Sequence, residues 1–143
     1  MKKYISISLL LTIVLFACND NEIVEVDEST IIGEWKLTET SFSIGGPEQI
    51  TNDIENGVVF VFSEDNNFTS TRFEECSTGE YAFNIEENEL ILNYNCSDFS
   101  SSFENENGEI IYGVRFNNSN EFSLSPRTGA ICTEGCSSIY TRQ

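Results

Sequence analysis

From Ile32 onward the chain alternates between apolar and polar positions. Tyr81, Phe83 and Ile85 share one face of a run whose other face carries Ala82 and Asn84. Leu90, Leu92 and Tyr94 stand opposite Ile91 and Asn93, and Ile110, Tyr112, Val114 and Phe116 opposite Gly113 and Arg115. A two-residue period sends successive side chains to opposite sides of a strand, and no stretch sustains the 3.6-residue period of a helix. Runs rich in Val, Ile, Phe, Tyr and Thr, punctuated by Gly, Asn, Ser and Asp, predict eight strands: Gly33 to Ile44, Val58 to Phe62, Phe68 to Glu74, Glu80 to Ile85, Glu89 to Asn95, Ile110 to Phe116, Glu121 to Ser125 and Ser138 to Arg142. One face is apolar and the other mostly wet, which is the mark of an antiparallel sheet.

The connections sort by length. Ser63 to Asn67, Glu86 to Asn88 and Asn117 to Asn120 are short, whereas Gly45 to Gly57, Cys96 to Glu109 and Pro126 to Ser137 are long. Successive connections of an up-and-down meander alternate between its two ends, so the long loops, with the Cys76 to Gly79 turn, gather at one end and the short turns at the other. An eight-stranded antiparallel barrel, tight at one end and rimmed by loops at the other, follows; closure removes the edges that an open sheet must protect.

Gly33-Glu34-Trp35 at the start of the first strand resembles the Gly-x-Trp signature of the lipocalins, and Arg142 near the end of the last strand stands where that family sets an Arg against the Trp. The resemblance spans about Ile32 to Gln143. It implies that Gly33, Trp35 and Arg142 close the tight end of a calycin-type barrel, with the Arg guanidinium over the Trp ring, and that the interior receives a small hydrophobic molecule.

The start of the chain has a different character. Lys2 and Lys3 precede an apolar stretch, Tyr4 to Phe16, suited to a signal-peptide core and short for a membrane span. Leu15-Phe16-Ala17-Cys18 then resembles the bacterial lipobox, in which the Cys thiol is alkylated by diacylglycerol before the leader is removed. The expected organisation is a lipoprotein signal peptide over 1–17, an acidic tether over 18–31 beginning at the lipidated Cys18, and a lipocalin-like barrel over 32–143. Acyl chains anchor by burial, at roughly 0.8 kcal/mol per CH₂, so lasting attachment takes more than one chain. The partners implied are the membrane, through that anchor, and the place is the bacterial cell envelope. Acidic residues behind the Cys resemble a surface-export address in some Gram-negative lineages; they equally suit a solvated spacer, so the periplasmic and surface faces of the outer membrane both stay open.

Charge narrows the function. The 143 residues hold 24 Asp and Glu against 7 Lys and Arg, a net charge of −17, and no His. Loss of Lys2 and Lys3 with the leader, which contains no acid, takes the mature chain to −19. Nucleic acid is excluded as a partner, because phosphate neutralisation needs clustered Lys and Arg. Absence of His removes the commonest general base near neutral pH and the commonest metal ligand. Lys36, alone of its type after the leader, adjoins Trp35 and leaves little for a Ser/Lys dyad, and carboxylate pairs arise by chance in so acidic a chain. A non-enzyme without cofactor or bound metal is expected. Asp53 and Glu55, Glu64 and Asp65, and Glu104, Glu106 and Glu109 are acidic enough for Ca²⁺ but match no EF-hand spacing.

Apart from Cys18, four cysteines remain: Cys76, Cys96, Cys132 and Cys136. In an exported chain an even number points to disulfides. The meander brings all four to the loop end, and the expected pairs among three possible pairings are Cys76 with Cys96 and Cys132 with Cys136. Gly135 would supply a positive φ in the tight second loop. A four-thiolate zinc site is the alternative, and it lacks a second closely spaced pair.

Phe60, Phe62, Tyr81, Phe83, Tyr94, Tyr112, Phe116 and Phe122 point inward in this scheme, with Phe68, as either packed core or the wall of a ligand pocket. Two functions follow. One is a small-molecule binding module, by resemblance to lipocalins; the other is an interaction module that meets an envelope protein through rigid, disulfide-tied loops.

Overall fold

The computed structural model describes residues 25–43, 46–129 and 135–143. Among the described residues nine strands lie in chain order: β1 (Gly33–Phe42), β2 (Gln49–Thr51), β3 (Val59–Phe62), β4 (Asn67–Ser70), β5 (Thr78–Asn84), β6 (Glu89–Tyr94), β7 (Ile110–Asn118), β8 (Glu121–Pro126) and β9 (Cys136–Arg142). Each neighbour pairs antiparallel from β3 to β9, and β1 pairs both β3 and β9. Eight strands therefore close into an up-and-down barrel, as the alternation predicts, and β2 lies outside the ring.

Closure depends on how β1 divides its edge. Gly33 to Lys36 pair with β3, whereas Thr40 to Phe42 pair with β2 on the same side. The change falls at an irregularity between Leu37 and Glu39, where Thr38 turns its hydroxyl to Thr141 Oγ1 at 3.0 Å. At that crossing Leu37 N donates to Val58 O at 2.8 Å, and a Cβ on Gly57 would stand 1.9 Å from the Leu37 carbonyl oxygen. A glycine lets the returning chain lie this close. The sequence reading places β2 inside a long loop, because three exposed residues, Gln49, Ile50 and Thr51, carry no inward face to register. It also runs the strand at Phe68 as far as Glu74, whereas β4 ends at Ser70.

The inward faces match the alternation. Trp35, Phe60, Phe62, Phe68, Leu90, Leu92, Ile110, Phe122 and Tyr140 are buried, with Tyr81, Tyr112, Val114 and Leu124 beside them. Their burial supplies the main drive for a small barrel. The turns at 63–66, 85–88 and 119–120 close one end, and the segments 71–77, 95–109 and 127–129 lie at the other.

A short 3-10 helix, Glu28–Ile31, precedes β1. Asp27 caps it: its carboxylate accepts from Ser29 N at 2.9 Å, while Asp27 N donates to Thr30 Oγ1 at 2.8 Å. Those hydrogen bonds hold the Asp27 carboxyl below its ordinary range. The helix sets Ile31, fully buried, into the tight end of the barrel. Residues 25–31 of the acidic segment behind Cys18 are thus partly built onto the barrel.

Candidate functional site

The two ends of the barrel use their polar groups in opposite ways. At the tight end the side-chain donors of Trp35 and Arg142 are spent on the fold. Trp35 Nε1 donates to the Ile31 carbonyl at 2.7 Å, and the Arg142 guanidinium lies 4.1 Å from the Trp35 ring centroid. Arg142 also donates to the carbonyls of Ile32 at 2.7 Å, Thr30 at 2.9 Å and Ser119 at 3.2 Å. One side chain thereby joins the 3-10 helix, the start of β1 and the β7–β8 turn. Gly33, at φ +128°, makes room for it: a Cβ there would meet Arg142 Nη1 at 2.6 Å. Tyr81 belongs to this end too, its hydroxyl donating to Ser63 O at 2.9 Å.

Above that plug the rings pack on one another. Phe122 meets Trp35 edge-on at 4.6 Å and stacks on Tyr140 at 5.5 Å; Phe116 lies 6.0 Å from Phe83 and 5.5 Å from Phe122; Phe62 meets Tyr81 at 4.9 Å and Phe60 at 5.6 Å. Six of the eight aromatics expected to line the interior, Phe60, Phe62, Tyr81, Phe83, Phe116 and Phe122, are therefore in mutual contact in this half and the middle of the barrel. Spacings of 4.5 to 7 Å between ring centroids are those of favourable aromatic pairs.

Tyr94 and Tyr112, the other two, lie at the open end, in a different setting. The period-2 register that turns Phe68 and Ser70 inward continues past the end of β4 to Arg72. Its guanidinium lies 4.7 Å from the Phe103 ring centroid, 5.6 Å from that of Phe73 and 5.8 Å from that of Tyr112. Phe73 and Phe99 flank Tyr94, with centroids 5.1 and 5.0 Å away, so the 95–109 loop roofs the mouth with aromatic surface. Three buried polar atoms in this cluster have no hydrogen-bond partner: Arg72 Nε, Tyr94 Oη and Tyr112 Oη. Native structures leave few such groups, because each costs its full desolvation.

The phenols here stay neutral across the ordinary pH range. Burial pushes Tyr94 up to about 12; Ser70, close by but outside hydrogen-bonding geometry, and the Arg72 charge oppose the rise. Tyr112 and Tyr140 are raised by burial in the same way, again against the pull of Arg72. The mouth is thus a group of neutral hydroxyls around one positive charge. Among the described residues the one ion pair, Arg127 with Glu89, runs over the outer surface across Gly113.

Sequence reasoning missed Arg72, Phe73, Phe99 and Phe103. For Arg72 the signal was present, since 68, 70 and 72 share inward parity; a cation in that register was the oddity to notice. Phe99 and Phe103 sit in a loop with no period to place them.

Cys76 and Cys96 form a disulfide with a Cα–Cα distance of 5.7 Å. It fastens the ends of the paired strands β5 and β6 beside the mouth, where Asn95 N donates to Thr78 O. Cys136 is also disulfide-bonded, and Cys132 lies outside the described residues. Gly135 has the expected positive φ, +98°. A rim cleft of about 490 Å³ beside it is lined mainly by hydroxyls, those of Ser41, Ser43, Ser125 and Ser137, with Glu48. Cys18 and the leader, 1–17, likewise lie outside the described residues.

Of the acidic groups weighed for Ca²⁺, two side chains pin their own loop: Glu104 Oε2 accepts from Ser101 N at 3.1 Å and Glu109 Oε2 from Asn105 Nδ2 at 2.8 Å. Among the described residues no three Cys, Asp or Glu converge as a metal site would require.

No protein-family model matches the chain, and no curated protein matches it. Among solved structures, the barrel is similar to a DUF4847 family protein from Bacteroides vulgatus, at 15% sequence identity and a TM-score of 0.49, over 80% of this chain and 96% of that one.

Proposed function

We propose that this protein is a lipid-anchored component of the bacterial cell envelope whose lipocalin-like barrel binds a small, largely apolar molecule at its open end. The observation that carries the reading is the contrast between the two ends. Where Trp35 and Arg142 meet, the indole N–H and the guanidinium nitrogens donate to backbone carbonyls; at the mouth, Arg72 Nε and the hydroxyls of Tyr94 and Tyr112 have no partner and are surrounded by aromatic rings. Ligand sites combine apolar walls with a few convergent polar groups in this way. The protein is read as a binder and not an enzyme, and Cys18 as its point of attachment to the membrane.

A second reading, an interaction module with a solid barrel, draws support from the packed rings of the lower half and from the Cys76–Cys96 bond stiffening the rim. Native mass spectrometry of the protein extracted from its own membrane separates the two. The first predicts an added mass of a small molecule that departs on unfolding, together with a diacylglyceryl mass on an N-terminal Cys18. A co-purifying polypeptide and no small adduct would favour the second, and an unmodified N-terminus would remove the anchor.

A further inference from the structure

From the Arg72 cluster we infer that the ligand of the mouth carries an oxyanion, a carboxylate or a group of like charge, on an apolar body. The inference rests on the small-molecule reading above and names its chemical class.

Three buried polar atoms at the mouth, Arg72 Nε and the Tyr94 and Tyr112 hydroxyls, lack partners. A guanidinium has only donors, five N–H groups and no lone pair. The Tyr94 and Tyr112 hydroxyls beside it keep their protons, for the burial reasons given, and hydrogen-bond neither to it nor to each other. Tyr112 is only 5% exposed, so water does not simply bathe the group. Apart from the Tyr140 hydroxyl, which hydrogen-bonds the guanidinium, what surrounds the cation is ring face, that of Phe103, Phe73 and Tyr112, and Arg72 Nε keeps no partner. Cation–π contact recovers part of the lost hydration and supplies no acceptor.

Charge selects among the molecules that could fill this deficit. A cationic ligand is opposed by Arg72. A neutral amide or alcohol offers lone pairs but leaves the positive charge uncompensated. A carboxylate offers two oxygens with several acceptor positions and the opposite charge, and charge-assisted hydrogen bonds to guanidinium are about twice as strong as neutral ones. Glu74 and Glu75, next in sequence, are exposed and make no ion pair with Arg72. The net charge of −17 is spread over the surface and screened beyond about 10 Å, so the field inside the mouth is set by the group that stands there. The aromatic roof formed by Phe99 and Phe103 suits the apolar remainder of such a molecule.

The test uses the mature chain from Cys18 in phosphatidylcholine nanodiscs, with empty discs as blank, and calorimetric titration of four probes: 4-phenylbutyrate, octanoate and the primary amide of each. At least one carboxylate should bind about tenfold tighter than its own amide. Arg72→Met should abolish that preference, and Arg72→Lys should keep part of it. Tyr112→Phe preserves the ring, so the test stands even if Arg72→Met fails to fold, and it should weaken the carboxylate more than the amide. Equal binding of acid and amide to the wild-type protein overturns the oxyanion and leaves the small-molecule reading standing. If none of the four probes binds, both fall.

Discussion

The Arg142 guanidinium covers the Trp35 ring at 4.1 Å while its nitrogens donate to the carbonyls of Ile32 and Thr30, residues that precede the barrel. One pair thereby closes the ring of strands and ties down the segment leading into it. Trp35→Ala should cost about 3–5 kcal/mol, from lost burial and the cavity left behind. Arg142→Met should cost about 2–3 kcal/mol, from the cation–π contact and the stranded carbonyls. The double variant should cost less than the sum, because both act on one contact. Urea denaturation of the three variants checks this; strict additivity would mean the two residues act independently.

Ile31 carries the same closure from the helix side. It is fully buried and its carbonyl accepts the Trp35 indole N–H at 2.7 Å. Ile31→Ala should lose about 2–5 kcal/mol, as other buried large-to-small changes do. A variant as stable as wild type would show that the 3-10 helix does not plug the barrel.

At Gly33 the φ of +128° and the approach of Arg142 Nη1 leave no space for a methyl group. Gly33→Ala should therefore destabilise by more than about 1 kcal/mol. In an Arg142→Met background the penalty should shrink without vanishing, since the backbone strain persists. Thermal melts of the four proteins in that cycle measure both parts.

The Cys76–Cys96 bond closes a loop with a sequence separation of 20. Replacing both residues by Ser should cost about 3 kcal/mol in the chain-entropy account. Non-reducing peptide mapping should recover the two cysteines in one linked fragment, and free thiols at both would contradict the pairing.

Alkaline pH should unfold the protein through its tyrosines. Unfolded, each phenol titrates near 10, whereas burial holds Tyr94 at about 12 in the fold and Tyr112 and Tyr140 above their ordinary value. Between those values the unfolded chain has released protons that the folded one keeps. Stability is thus intact below pH 10 and falls as pH rises toward 12. Urea midpoints across that window, followed together with phenolate absorbance, should decline as the phenolate signal grows.

Local rules carried the sequence reading far. Alternation over 81–85, 90–94 and 110–116 needs only the geometry of a strand, so it fixed the number of barrel strands, their inward faces and the end at which each loop lies. The Gly33, Trp35 and Arg142 closure was legible because their order along the chain, with the meander, puts the first and last strands side by side. What the sequence could not decide depends on contacts between distant segments. The three residues of β2 are defined by the Thr40 to Phe42 edge that β3 vacates. Ile31 has a place only because the closed turns leave one, although Asp27 and Thr30 marked a cap. Arg72 reads as one more loop cation until Tyr112, forty positions on, comes up beneath it. A period of two tells each side chain which way to face, but only the closed ring decides what it will face.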